Sequence, residues 1–186
     1  MSEKYDDRPF HVVMFVSRNK DNQDVELFKQ RTKAFLTQKN TDELSKDFEK
    51  FVNEGVNGEF SRFYISVNSR KHEAVVLSLQ HYLLDHPDVN LAKIDKLISS
   101  LAMKKGTALT KKFLFDYDGE KEYIGYFTEN VEHELGNSNF VTAYETPNGF
   151  AVVTERGFDT RALLEKWRDV ELKRDGMLYV TSDLKR

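Results

Sequence analysis

The sequence predicts an α+β domain with a mainly antiparallel sheet and helices packed on it. Three observations lead there. Short apolar runs rich in β-formers, HVVMFVS, FSRFYIS and FLFDY, are interleaved with segments whose apolar residues recur at helical spacing. Two of the helical segments follow one another directly, as a helical pair laid on a sheet would. In NFVTAYETPNGFAVVT, a proline, an asparagine and a glycine separate two strand-like runs, a hairpin signature that makes the two strands antiparallel neighbours.

Each element can be justified in order. After a polar lead, His11 to Ser17 is short, apolar and β-rich, hence a strand. Val25 to Thr37 fits either a helix or a strand. From Asn40 to Gly55 the signals are helical: Asn40 can cap, Glu43 stands three residues on, and Leu44, Phe48, Phe51 and Val52 repeat before Gly55 stops the run. FSRFYISVNSR reads as a strand alternating Phe60, Tyr64 and Ser66 against Phe63, Ile65 and Val67. A helix from about Lys71 to His86 is halted by Pro87. Its partner carries Leu91, Ile94, Leu97, Ile98 and Leu101 and ends near Gly106.

Phe113 to Tyr117 is the next strand, and Tyr123, Phe127, Val131 and Leu135 mark an amphipathic segment closed by Gly136. The hairpin follows, then a capped helix from Asp159 with Leu163, Leu164 and Trp167, and MLYV closes the sheet. With no linker, repeat or low-complexity tract, residues 1–186 are expected to form a single domain, with 1–58 an N-terminal elaboration of its core.

Composition narrows the function. A hydrophobic fraction of 39%, a charged fraction of 32% and only 3 prolines describe a chain that folds around a core. With a net charge of -3, affinity for nucleic acid would have to come from a local basic face. No run approaches the ~18 apolar residues of a membrane span, and MSEKYDDRPF is too charged for a secretory signal, so an intracellular protein with no membrane partner is expected. The absence of cysteine excludes disulfides, thiolate zinc sites and cysteine nucleophiles. The chain contains no GxSxG, HExxH, GxxxxGK[ST] or GxGxxG, and its five histidines form no paired spacing.

Three stretches can carry chemistry. Asp116 and Asp118, at the end of FLFDYD, share one face of their strand, where each raises the cost of ionising the other. Two explanations stand side by side. Asp118-Gly119 is an ordinary turn dipeptide with Asp116 a strand-end residue, or the pair holds Mg²⁺ or Mn²⁺, hard cations that bridge carboxylates to phosphate. An EF-hand is excluded because Lys121 and Phe127 occupy its glycine and glutamate positions. A third carboxylate would be Asp159, Asp169 or Asp175, each also explicable as a helix cap, helix-surface charge or turn residue. The second stretch, TPNGFAVVT, is a hairpin whose tight glycine turn also permits close approach of a phosphate. In the third group, Arg62, Asn68, Arg70 and Lys71, Arg62 faces opposite Phe63 on its strand, and Asn68, Ser69 and Arg70 lie where that strand feeds a helix N-terminus, which suits an anion, although capping by Asn68 or Ser69 with surface arginines accounts for it equally.

FLFDYD followed downstream by TPNGFAVVT resembles the archaeo-eukaryotic primase superfamily, in particular small phage and bacterial proteins of its primase-polymerase branch. The resemblance runs from SRFYISVNSR onward and implies a primase-like, RRM-like core. It implies that Asp116 and Asp118 bind catalytic Mg²⁺ or Mn²⁺, that Thr146, Asn148 and Gly149 belong to the nucleotide-binding hairpin, and that Asp175 matches the third aspartate by order. One departure stands out: the family's histidine position is Ala151 here, and alanine cannot donate a hydrogen bond to a triphosphate. The resemblance thus implies a primase-like protein that binds nucleic acid or a nucleoside triphosphate, with a metal site for nucleotidyl or phosphoryl transfer. The alternative is a non-catalytic accessory or regulatory protein of phage type, in the host cytoplasm, that binds nucleic acid or a protein partner.

Overall fold

A computed structural model describes residues 8–136 and 140–186. Residues 1–7, most of the polar lead, and Asn139, where the sequence reading opens the hairpin's first strand, lie outside them. The described residues form an α+β structure with two four-stranded antiparallel sheets and five α-helices. The strands are β1 (His11–Ser17), β2 (Arg31–Thr37), β3 (Phe60–Ser66), β4 (Phe113–Tyr117), β5 (Val141–Thr146), β6 (Gly149–Thr154), β7 (Val170–Lys173) and β8 (Met177–Leu184). The first sheet has the order β2-β1-β3-β8 and the second β5-β6-β4-β7. The strands expected to share one sheet are therefore divided between two. What divides them is long-range: β8 pairs back with β3 across the whole of the second sheet. Strand β1 is internal to the first sheet, so the segment before residue 58 supplies two of its four strands.

Alternation decides what each face of the first sheet meets. Val13 and Phe15 of β1 and Phe63 of β3 point toward helix α1 (Thr41–Asn53) and bury against its Leu44, Phe48, Phe51 and Val52. Phe15 stands edge-on to Phe63 at a centroid distance of 5.0 Å, a favoured aromatic geometry. The expected capping box opens α1: Glu43 N donates to Asn40 Oδ1 at 2.9 Å and Asn40 N to Glu43 Oε2 at 2.8 Å. On the other face, Val12, Leu36 and Met177 pack with Val75 of α2 (His72–Asp85) and Ala102 of α3 (Ile94–Ala102). That helical pair covers one end of the face only. Met14, Arg62, Tyr64 and Tyr179 are left to line a cleft.

The second sheet repeats the logic. Phe115 and Tyr117 of β4 pack with Phe127, Val131 and Leu135 of α4 (Ile124–Leu135) and Leu163 of α5 (Arg161–Lys166). Its opposite face brings Leu114, Ala151 and Val153 against Val67 and Leu178, which joins the two sheets.

Three local readings change. The ambiguous Val25 to Thr37 is a strand only from Arg31, with turns before it. The segment Val170–Lys173 is a strand that periodicity over four residues does not reveal. Helix α5 starts after Thr160, and Asp159 instead accepts hydrogen bonds from the Arg161 backbone N–H at 3.2 Å and from its guanidinium. No helix of the described residues is long and apolar enough to cross a membrane.

Glu59, only 2% exposed at the head of β3, makes stability pH-dependent. Burial opposes its charge, but the Ser17 hydroxyl, hydrogen bonds from Arg31 Nε at 2.9 Å and Val56 N at 3.1 Å, and the Arg31 charge together outweigh this and hold its carboxyl below the ordinary value. A depressed folded-state pKa contributes stability that is complete above the unfolded value and disappears as pH falls through the folded one. Wild type should therefore exceed Glu59→Gln in urea resistance at neutral pH, and the gap should close as pH drops below about 4.5. Paired urea denaturation curves across that range check it, and a pH-independent gap contradicts it.

Candidate functional site

A cleft of about 470 Å³ lies between the sheets. One wall comes from the second sheet, because the alternation that sends Phe115 and Tyr117 into the core turns Leu114, Asp116 and Asp118 the other way. Asp118 lies just beyond β4, where its backbone N–H donates to Asp169 O at 3.1 Å, and its side chain is exposed. Asp116 faces Ala151 of β6 and Glu171 of β7 across the ladder. Lys173 Nζ makes an ion pair with Asp116 and lies 3.5 Å from Glu171 Oε2. Burial lowers the Lys173 pKa, but the bond and charge of Asp116, joined by Glu171, outweigh it and raise the pKa above its ordinary value.

The opposite wall is basic and aromatic. Arg62 is only 8% exposed, and its Nη2 donates to Asp21 Oδ1 at 2.8 Å. Asp21 also receives Arg18 Nε at 2.7 Å; burial opposes its charge, but Arg18 and Arg62 prevail and hold its carboxyl below the ordinary range. Arg62 Nε is buried with no hydrogen-bond partner among the described residues. Arg18 and Lys20, just past β1, extend the basic edge. Tyr64 and Tyr179 are register partners whose rings meet edge to face at 5.9 Å.

Of the residues expected from sequence, Asp116, Asp118, Arg62, Thr146 and Asn148 line this cleft. Asn68, Arg70, Lys71, Gly149 and Asp175 do not. The anion site expected at the start of α2 is corrected by the partners of Arg70. Its guanidinium is buried and committed to Asp175, Nη1 to Oδ2 at 2.7 Å and Nη2 to Oδ1 at 2.8 Å. Asn68 donates to the same carboxylate at 3.1 Å and accepts from Lys112 N at 2.7 Å. These residues stitch β3 to the turn before β8 and to the start of β4, so Asp175 is a structural anchor and not a third cleft acid. Lys71 is exposed at the N-cap position of α2, with its backbone N–H on Thr107 O at 2.8 Å.

Gly149 serves the sheet. The hairpin turns through Pro147-Asn148, with Thr146 paired to Gly149, and neither Asn148 nor Gly149 has a positive φ. A Cβ at 149 would instead lie 2.2 Å from the Tyr117 carbonyl oxygen, an impossible contact, so glycine lets β6 close on the acidic end of β4.

Sequence reasoning missed Arg18, Lys20, Tyr64, Tyr179, Glu171 and Lys173 as site residues. None of them carried a usable local signal: once VELK is known to be a strand, alternation puts Glu171 and Lys173 on one face, but four residues are too few to reveal that strand. The carboxylate opposed to Asp116 in the β4–β7 register is Glu171, none of the three aspartates expected. Asp159 is paired with Arg161, and Asp169 meets Asp118 through its backbone carbonyl. Among the described residues, no group of three or more histidine, aspartate or glutamate side chains is arranged to hold a metal ion. No protein-family model, curated protein or solved structure matches this chain.

Proposed function

We propose that this chain is a primase-like nucleotide-binding protein whose cleft takes the phosphates of a nucleotide, free or within a single strand. Arg62, Arg18 and Lys20 receive the negative charge, and Tyr64 and Tyr179 offer ring surface to the base. The observation that carries this reading is Arg62 itself. Its guanidinium lies on the cleft wall with Nη2 held by Asp21 Oδ1 at 2.8 Å, a positioned charged donor of the kind that pairs with phosphate. A volume of about 470 Å³ suits a nucleotide-sized ligand. The primase resemblance draws support from Asp116, Asp118, Thr146 and Asn148 sharing that cleft.

Between the two expectations, binding without transfer is the better fit. Nucleotidyl transfer would place Mg²⁺ or Mn²⁺ on Asp116 and Asp118, but Asp116 is engaged by Lys173, and Ala151, directly opposite Asp116, offers no donor. The residues present do not suit a two-ion centre.

Fluorescence anisotropy with a labelled nucleoside triphosphate and with short single-stranded DNA and RNA tests the reading. Saturable binding is expected, weakening with salt at a log–log slope of roughly -2, as about three phosphate contacts on a single strand would give. No saturable binding to any probe at low salt would remove the proposal.

A further inference from the structure

Lys173 stands among carboxylates on the acidic wall. Asp116 and Glu171 are directly opposed in the register of β4 and β7, and two anions so placed repel unless a cation lies between them. Lys173 Nζ supplies that cation, paired with Asp116 and 3.5 Å from Glu171. Its aim is built into the packing. Lys173 is opposed to Leu114, and Gly176 in the turn that follows leaves room for its stem, since a Cβ there would lie 2.9 Å from Lys173 Cβ and 3.0 Å from Leu114 Cδ2.

We propose that Lys173 is a tethered substitute for a divalent cation, its ammonium filling the position between Asp116 and Glu171 so that the cleft takes its phosphate ligand without metal. The ligand half of this statement rests on the nucleotide-binding reading; the ion half stands on the carboxylate geometry alone. Hard divalent ions gather six or more oxygen ligands, whereas an ammonium donates three hydrogen bonds and coordinates nothing. Lysine therefore offsets the carboxylate charge but cannot polarise an attacking or leaving oxygen as a pair of metal ions does.

Mn²⁺ alone, followed by loss of its free electron-paramagnetic signal, tests the ion half on wild type, Lys173→Met and the double variant Lys173→Met/Asp116→Asn. Wild type should leave the signal unchanged, Lys173→Met should take up about one equivalent, and the double variant should lose it. Methionine keeps the length of the stem, and Lys173→Gln, checked for a cooperative melt, provides a second variant with the same expectation. Mn²⁺ uptake by wild type that Asp116→Asn abolishes overturns the proposal, as does a Lys173→Met protein that takes none. Calorimetry with tripolyphosphate tests the ligand half: binding should be the same with and without EDTA, and binding that EDTA abolishes overturns it. Failure of tripolyphosphate to bind at all would overturn the ligand half, with the nucleotide reading then decided by the anisotropy titrations and the Mn²⁺ result standing on its own.

Discussion

Alanine at position 70 is expected to remove about 2–4 kcal/mol of folding stability, toward the lower end for a broken buried ion pair because Asp175 keeps 30% exposure. The Arg70 side chain is wholly enclosed, so its loss opens a void and leaves the Asp175 carboxylate without its cation, with a hydrogen bond from the neutral Asn68 amide. For a chain of this length that corresponds to roughly ten degrees in Tm. Urea denaturation measures it, and Asp175→Asn should cost a comparable amount by stranding the guanidinium. The double variant Arg70→Met/Asp175→Leu should recover part of the loss, because a well-filled apolar pair avoids the desolvation that the charges incur. Single variants within about 0.5 kcal/mol of wild type would show that this contact does not hold the sheets together.

Arg62→Ala is expected to weaken nucleotide or oligonucleotide binding about ten- to hundredfold, the equivalent of a charged hydrogen-bonding group worth about 1.5–3 kcal/mol. Its effect on the melt should be much smaller than that of Arg70→Ala. Asp21 retains both of its contacts with Arg18, so no buried carboxylate is stranded. Arg62→Lys restores the charge without the planar fork and should fall between the two. Anisotropy titrations of the three proteins, each checked by thermal melting, decide the matter. Affinity unchanged in a well-folded Arg62→Ala protein would take Arg62 out of the site.

The contrast between these two arginines shows what can be read from the chain. Both stand in SRFYISVNSR, and nothing local separates them. Arg70 finds its partner at position 175, and Arg62 finds its own at position 21. Such distant pairings carry no periodicity, so the sequence leaves both equally open to a phosphate or to a place on the surface. Where the governing physics is local, it did better. The capping box at Asn40, the strand from His11 to Ser17 and the common face of Asp116 and Asp118 all follow from spacing over a few residues. Lys173 escaped notice because four residues are too few for alternation to announce a strand, and the assignment of β8 to the first sheet depends on a pairing that spans more than half the chain.

That last pairing sets an order of assembly. During synthesis β8 leaves the ribosome after all of β4 to β7, and until then β3 is the open margin of a three-stranded sheet with its hydrogen-bonding groups unmatched. The early half of the chain must wait for the late half. Closing so long a loop is entropically slow, so the nascent protein passes through an interval in which a bare strand edge can recruit another chain.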